Sequence, residues 1–447
     1  MKKQSKRITI ALVLVMATGV LARADNRHNG QLDTAIWTTT WATANRSITA
    51  FDAPLPKINN ATLRQVVRIS QGGRMIRVSF TNEHGQKPLD INEAHVAKRE
   101  HGAAILVESR KQLTFSGATS ASILPGKRLT SDPVNMPVLA NTELVISTYL
   151  PLDVTGAGSP VTYHVRALQT NYIAVGNQAM AVDFVHSETT TAWYFLANVD
   201  VANDCVTPAI AALGDSITDG DQRAAPNEPI DLNVRYPDLL SEAITAGGKA
   251  ASVINLGISG NQVLEAFPKQ SPAERLKRDV LTLSGVTHLI YLEGINDIGL
   301  PILLSTLGSP TPVHNAAAII AGHQQIIKQA KDAGLVIIGG TLTPSGGSPL
   351  PGYHGALADA KRQEINTWIR GSGAYDAVID FDAALADPEN PSIISTHLTA
   401  DGLHPNANGY QAMADAAYAA IREMLPNKKY EEDSPCSASD PKPPDAF

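Results

Sequence analysis

Apolar and polar positions along the chain are patterned in two different ways, and the change falls near residue 206. Before it, the apolar runs are short and interleaved with polar residues: Leu63–Ser70, Met75–Thr81, Leu89–Ala97 and Glu143–Leu150. Such alternation predicts half-buried strands. In Met75-Ile76-Arg77-Val78-Ser79-Phe80 the arginine and serine alternate with larger apolar residues. Gln71-Gly72-Gly73 separates the first two runs and reads as a hairpin turn. No long helical period occurs over 25–205, so that stretch predicts a β-rich accessory domain, a small sandwich. Trp37 and Trp41 stand four apart in a threonine-rich run. A strand with both rings in the core is the expectation, and carbohydrate stacking the alternative.

From 206 onward the apolar runs are continuous: Ala209–Leu213, Ser252–Leu256, Thr287–Leu292, Leu335–Gly339 and Ala377–Phe381. They read as strands buried on both faces. Helical patterns lie between them, the longest at Asn315–Ala333 and Ala356–Ile369, and a last one follows at Asn408–Leu425. Alternating strands and helices predict an α/β domain with a parallel, doubly wound sheet over 206–426. Residues 427–447 are polar and proline-rich and read as a loose tail.

Composition narrows the picture. A chain of 447 residues with 43% hydrophobic and 18% charged residues has enough apolar side chain for two globular domains. The N-terminus carries Lys2, Lys3, Lys6 and Arg7, then an apolar run to Leu21, then Ala22-Arg23-Ala24. This predicts a secretory signal peptide over 1–24, cut after Ala24, and hence a secreted or periplasmic protein. The run is too short to serve as a stable membrane anchor. Cleavage removes five basic residues and no acid, moving the formal charge from -7 to -12. An acidic surface argues against nucleic acid and anionic membranes as partners. Cys205 and Cys436 are the only cysteines. They form a disulfide or remain two thiols, and their spacing does not suit a zinc site.

In a parallel sheet the loops after the strands gather at one edge, where ligands bind. Ser216, Gly260 and Asn296 each fall just after a predicted strand, and Asp401 and His404 precede the last helix. A serine hydroxyl needs a base, and His404 is the candidate; a carboxylate such as Asp401 would hold the imidazole in one tautomer. Backbone N–H groups of Ser216 and Gly260, with the Asn296 amide, could form an oxyanion hole. Taken singly, each also reads as a turn glycine, a helix cap or a capped turn.

Their order carries a resemblance. The chain resembles the SGNH hydrolase superfamily, the GDSL-type esterases and lipases. The first block is matched by Gly214-Asp215-Ser216-Ile217-Thr218, with isoleucine where leucine is commoner. Gly260 matches the second, Gly294-x-Asn296-Asp297 the third and Asp401-x-x-His404-Pro405 the last. The resemblance covers roughly 206–426. It implies a flavodoxin-like, three-layer fold with a five-stranded parallel sheet, and ester hydrolysis without metal or organic cofactor. It also implies Ser216 as nucleophile, Asp401 and His404 as the acid–base pair, and Gly260 and Asn296 completing the oxyanion hole. The preceding β-rich region looks like the sandwich that some secreted carbohydrate esterases of this superfamily carry.

Three other readings compete. An α/β-hydrolase elbow is excluded, since Thr218 stands where that motif needs glycine. A metallohydrolase would use His397, Asp401 and His404 as ligands. A glycan-binding protein would place its function in the sandwich. The expected substrate is a short-chain ester, including O-acetyl groups on glycans, with a lipase or thioesterase of the same fold as the alternative.

Overall fold

Residues 35–49, 52–156, 161–203, 205–222, 230–265 and 270–428 are described by the computed structural model. The proposed signal peptide, Cys436 and all of the tail beyond residue 428 lie outside them. Alternation in the N-terminal half becomes two antiparallel sheets facing one another. The first runs Ile36–Ala42, Leu196–Asn203, Gly73–Thr81, Arg128–Thr130, with Val134–Val138 also on Gly73–Thr81. The second runs Glu188–Thr190, Asn171–Val175, Ala61–Arg68, Glu143–Leu150, Glu93–Lys98, Lys111–Leu113. Inward side chains of both meet in one core, Ile76, Val78 and Phe80 from the first and Leu63, Val67 and Ile146 from the second. This is the expected sandwich.

Three local readings need correction. Gln71-Gly72-Gly73 is not a hairpin turn. Ala61–Arg68 pairs with Glu143–Leu150 and Asn171–Val175, whereas Gly73–Thr81 lies in the other sheet. Neither glycine has the positive φ of a tight hairpin turn. They are small because the chain passes close to its neighbours there. A Cβ on Gly72 would lie 2.5 Å from the Val138 carbonyl, and one on Gly73 2.7 Å from the Val201 Cβ. Leu89–Ala97 is two strands, Leu89–Ile91 and Glu93–Lys98. Trp41 is in the core against Trp193, at 5.0 Å between rings, but Trp37 is half-buried beneath the Arg77 guanidinium at 4.3 Å. The cause is a bulge: Trp37 pairs with Ala202 and Trp41 with Val199, so the rings leave opposite faces.

The C-terminal half is a parallel sheet of β1 (Ala209–Gly214), β2 (Ser252–Gly257), β3 (Val286–Leu292), β4 (Val336–Gly340) and β5 (Ala377–Ile379). Their order is β2-β1-β3-β4-β5, the flavodoxin-like arrangement. Every residue of β1 is buried, which is why it reads as an unbroken apolar run. Asn315 caps the helix Ala316–Asp332 by accepting the Ala318 N–H, and Asn406 caps Ala407–Ile421 by accepting those of Asn408 and Gly409. At the top of the sheet Gly214 is level with Gly257 and Leu292. The loops that follow β1, β2 and β3 therefore leave side by side, at the point where the strand order reverses.

Described residues from Ile36 onward fall in one compact unit. The edge strand β2 lies against Ile36–Ala42, the edge of the first antiparallel sheet. Hydroxyls bridge them: Ser252 Oγ donates to the Thr39 carbonyl at 2.6 Å, and Ser70 Oγ lies 2.9 Å from Ser252 Oγ. Each half thus covers an edge of the other.

Candidate active site

Gly214 ends β1 because nothing larger fits. A Cβ there would meet Thr218 Oγ1 at 2.1 Å and the Leu292 carbonyl at 2.8 Å. The Asp215 carboxylate then accepts the Ile217 N–H at 2.9 Å and starts the single turn Ser216–Asp219. Burial pushes the Asp215 carboxyl up to about 7, against the Ile217 N–H and the nearby His404. Ser216 occupies the first position of the turn, and its Oγ stands 3.0 Å from His404 Nε2.

His404 is held from behind. Its Nδ1 lies 2.7 Å from Asp401 Oδ2, and Asp401 Oδ1 accepts the N–H groups of Leu403 at 2.9 Å and His404 at 2.7 Å. Burial alone would raise the Asp401 carboxyl, but the hydrogen bonds and charge of His404 prevail and hold it at about 2. An ionised carboxylate only accepts, so Nδ1 must carry a proton. When the ring is neutral, its Nε2 lone pair then faces Ser216. The turn stays compact because Gly402, at φ 73°, presses on the backbone of Gly347; a Cβ would sit 2.3 Å from the Gly347 carbonyl carbon.

Asn296 is the second residue of the helix Ile295–Thr306, and Gly294 at φ 124° makes the bend before it. Its Nδ2 donates to the Asn261 carbonyl at 2.9 Å. The next residue, Asp297, accepts the N–H groups of Val263 at 2.8 Å and Leu264 at 3.0 Å. Burial lifts the Asp297 carboxyl to about 6, opposed by those two N–H groups. The loop carrying Gly260, at φ 79°, is thereby tied to the first turn of the helix carrying Asn296. Among the described residues, neither the Ser216 nor the Gly260 N–H donates to another protein group.

Four further residues build this edge and were not singled out by the sequence. Arg275 is fully buried and reaches all three loops, the third through Glu293 just after β3 at 3.7 Å. Its guanidinium donates to the carbonyls of Gly214 at 3.1 Å and Leu256 at 2.8 Å, and to Asn261 Oδ1 at 2.8 Å. The Tyr353 hydroxyl donates to Asn296 Oδ1 at 2.7 Å. Asp219 accepts the Ser259 N–H at 3.0 Å with one oxygen and faces His164 Nε2 of the sandwich at 2.9 Å with the other. The sequence pattern predicts no helix at Ile295–Thr306, so Gly299 inside it, against which the Tyr353 ring lies, gives no signal. The His397, Asp401, His404 metal reading fails on geometry. Both ring nitrogens of His404 have partners, and among the described residues no three such side chains are grouped to hold an ion.

Comparison with known proteins matches residues 212–412 to the GDSL-like lipase/acylhydrolase family. No curated protein matches. Among solved structures, the chain is similar to a GDSL-like lipase from Bacteroides thetaiotaomicron, with 19% identity over 48% of this chain and 89% of that one, at a TM-score of 0.36. It is similar to an aryl esterase of M. smegmatis, with 18% identity over 49% of this chain and 100% of that one, TM-score 0.38. An acetyl xylan esterase is similar too, at 22% identity over 47% and 98% of the two chains, TM-score 0.34.

Proposed function

We propose, for a chain whose residues 212–412 belong to the GDSL-like lipase/acylhydrolase family and which is therefore a carboxylic ester hydrolase, that it works through Ser216, His404 and Asp401 by way of an acyl-enzyme. The observation that carries this reading is the continuous chain from Asp401 Oδ2 through His404 to Ser216 Oγ, at 2.7 Å and 3.0 Å. Ser216 Oγ attacks the ester carbonyl carbon while its proton passes to His404 Nε2. Negative charge then develops on the carbonyl oxygen. The N–H groups of Ser216 and Gly260 and the Asn296 amide receive it. When the tetrahedral adduct collapses, His404 returns the proton to the leaving alcohol. A water, deprotonated by the same nitrogen, then releases the acid and restores Ser216.

The substrate we infer is a short-chain ester, O-acetyl groups on glycans included. Aromatic residues make up 5% of the chain, and no Phe or Trp cluster stands near the Ser216, Gly260, Asn296 and His404 blocks. Such a sequence offers little apolar surface to a long acyl chain. Export by the N-terminal segment would bring the enzyme to external glycans, and an N-terminus beginning at Asp25 in the mature protein would support it. Chromogenic esters of increasing acyl length, followed by acetylated polysaccharides, test the substrate reading. Highest kcat/KM on acetyl esters is expected, and a maximum at long chains overturns it. Asn296→Ala should lower kcat about a hundred- to a thousandfold and spare KM, as loss of a donor made for the transition state does.

A further inference from the structure

Asn296 has one oxygen and two amide hydrogens to place. Its Nδ2 donates one hydrogen to the Asn261 carbonyl at 2.9 Å, while its Oδ1 accepts from the Tyr353 hydroxyl at 2.7 Å. The second Nδ2 hydrogen is the one an oxyanion would take. The two ends of a carboxamide are nearly equal in size, so packing cannot decide which faces the site. Hydrogen bonding can: a carbonyl at one end only accepts, and a phenol at the other donates.

Tyr353 lies 57 residues from Asn296, in the segment between β4 and the helix Ala356–Gly371, and is 3% exposed. Its ring rests on the Asn296 helix at Gly299, where a Cβ would come within 2.4 Å of it. Glycine is a poor residue inside a helix, and here its absent side chain is the seat of the ring. Gly299 is one turn beyond Asn296, so a ring at that level brings its hydroxyl to the Asn296 side chain. Gly352, at φ 88°, completes the fit, since a Cβ on it would meet the Gly299 carbonyl at 2.4 Å. Ser345 Oγ anchors the segment by donating to the Tyr353 carbonyl at 2.7 Å.

We propose that Tyr353 is a positioning residue for ester hydrolysis, its hydroxyl holding the Asn296 carboxamide so that Nδ2 faces the developing oxyanion. This rests on the reading of Asn296 as an oxyanion donor. Tyr353 acts on the reaction through Asn296.

The test is a double-mutant cycle read in kcat and KM for wild type, Tyr353→Phe, Asn296→Ala and the double variant. Melting temperature and the fraction of Ser216 titrated by a phosphonate would count folded, competent enzyme. Tyr353→Phe keeps the ring on Gly299 and removes the hydroxyl that donates to Asn296, so kcat is expected to fall about three- to tenfold with KM unchanged. On the Asn296→Ala background the same substitution should change kcat by less than about twofold, because its target is gone. An equal loss on both backgrounds would mean that Tyr353 acts elsewhere and would overturn the proposal. Wild-type kcat in Tyr353→Phe beside a large loss in Asn296→Ala overturns the positioning role alone. Wild-type kcat in Asn296→Ala overturns the oxyanion reading, and the positioning role with it.

Discussion

At the scale of single residues, Asp401 does two things with one carboxylate. One oxygen closes the backbone turn, and the other fixes the proton on His404 Nδ1. Asp401→Asn keeps the shape of the turn but can present its amide nitrogen to the ring, selecting the wrong tautomer. It should be less damaging to kcat than His404→Ala, though still severe. On the acid side kcat/KM should fall as His404 takes a proton and can no longer accept one from Ser216. Asp401, held at about 2, stays ionised across that range, so the limb belongs to the imidazole. A profile flat down to pH 4 would contradict His404 as the base. These residues were legible in the sequence because their spacing is local: Asp401 reaches His404 within one turn, and Gly214 and Asp215 immediately flank Ser216. Arg275 and Tyr353 were not, because their partners are distant in sequence and nothing near them marks a buried polar group.

At the scale of elements, the strands of the parallel sheet were readable because burial on both faces leaves continuous apolar runs. The sandwich strands were readable too, but not which strand each would join. The period of two says which face is buried and nothing about the neighbour, and Gly72 and Gly73 imitate a turn while serving a close crossing. The end of β1 is where electrostatic cost concentrates. Asp215 is nearly inaccessible and titrates at about 7 when folded, against an ordinary value of 3.8. Between those two values the folded state holds a proton that the unfolded chain has lost, so stability should decline as pH rises from about 4 to 7. Asp215→Asn keeps an accepting oxygen for Ile217 and removes the charge. Its stability should drop less over that interval than that of wild type, by about 4 kcal/mol at most, read in chemical denaturation. Equal declines would show that Asp215 is not the group responsible.

At the scale of the whole molecule, the sandwich helps to form the hydrolase. His164 donates from Nδ1 to the Ala44 carbonyl and meets the buried Asp219 carboxylate with Nε2. Asp219 in turn holds the Ser259 N–H beside Gly260. His164→Ala removes one partner of this buried pair and should destabilise the protein by about 3 kcal/mol, read in chemical denaturation. Arg68 with Glu242 at 2.7 Å and Arg77 with Ser284 at 3.0 Å extend the junction. A fragment beginning at residue 206 would expose β2 and leave Ser252 and Asp219 without these partners. It should not yield a stable esterase, and full activity from such a fragment would show that the two halves are independent.

The central claim is that Ser216, activated by His404, is the nucleophile. It is tested most directly by treating the enzyme with a serine-reactive phosphonate and locating the adduct by peptide mass spectrometry as esterase activity is lost. One adduct per chain on Ser216, forming in step with inactivation and absent in both Ser216→Ala and His404→Ala, is the predicted result. Labelling at another residue, or a Ser216→Ala variant that still turns over ester above about one part in a thousand of wild type, would contradict it.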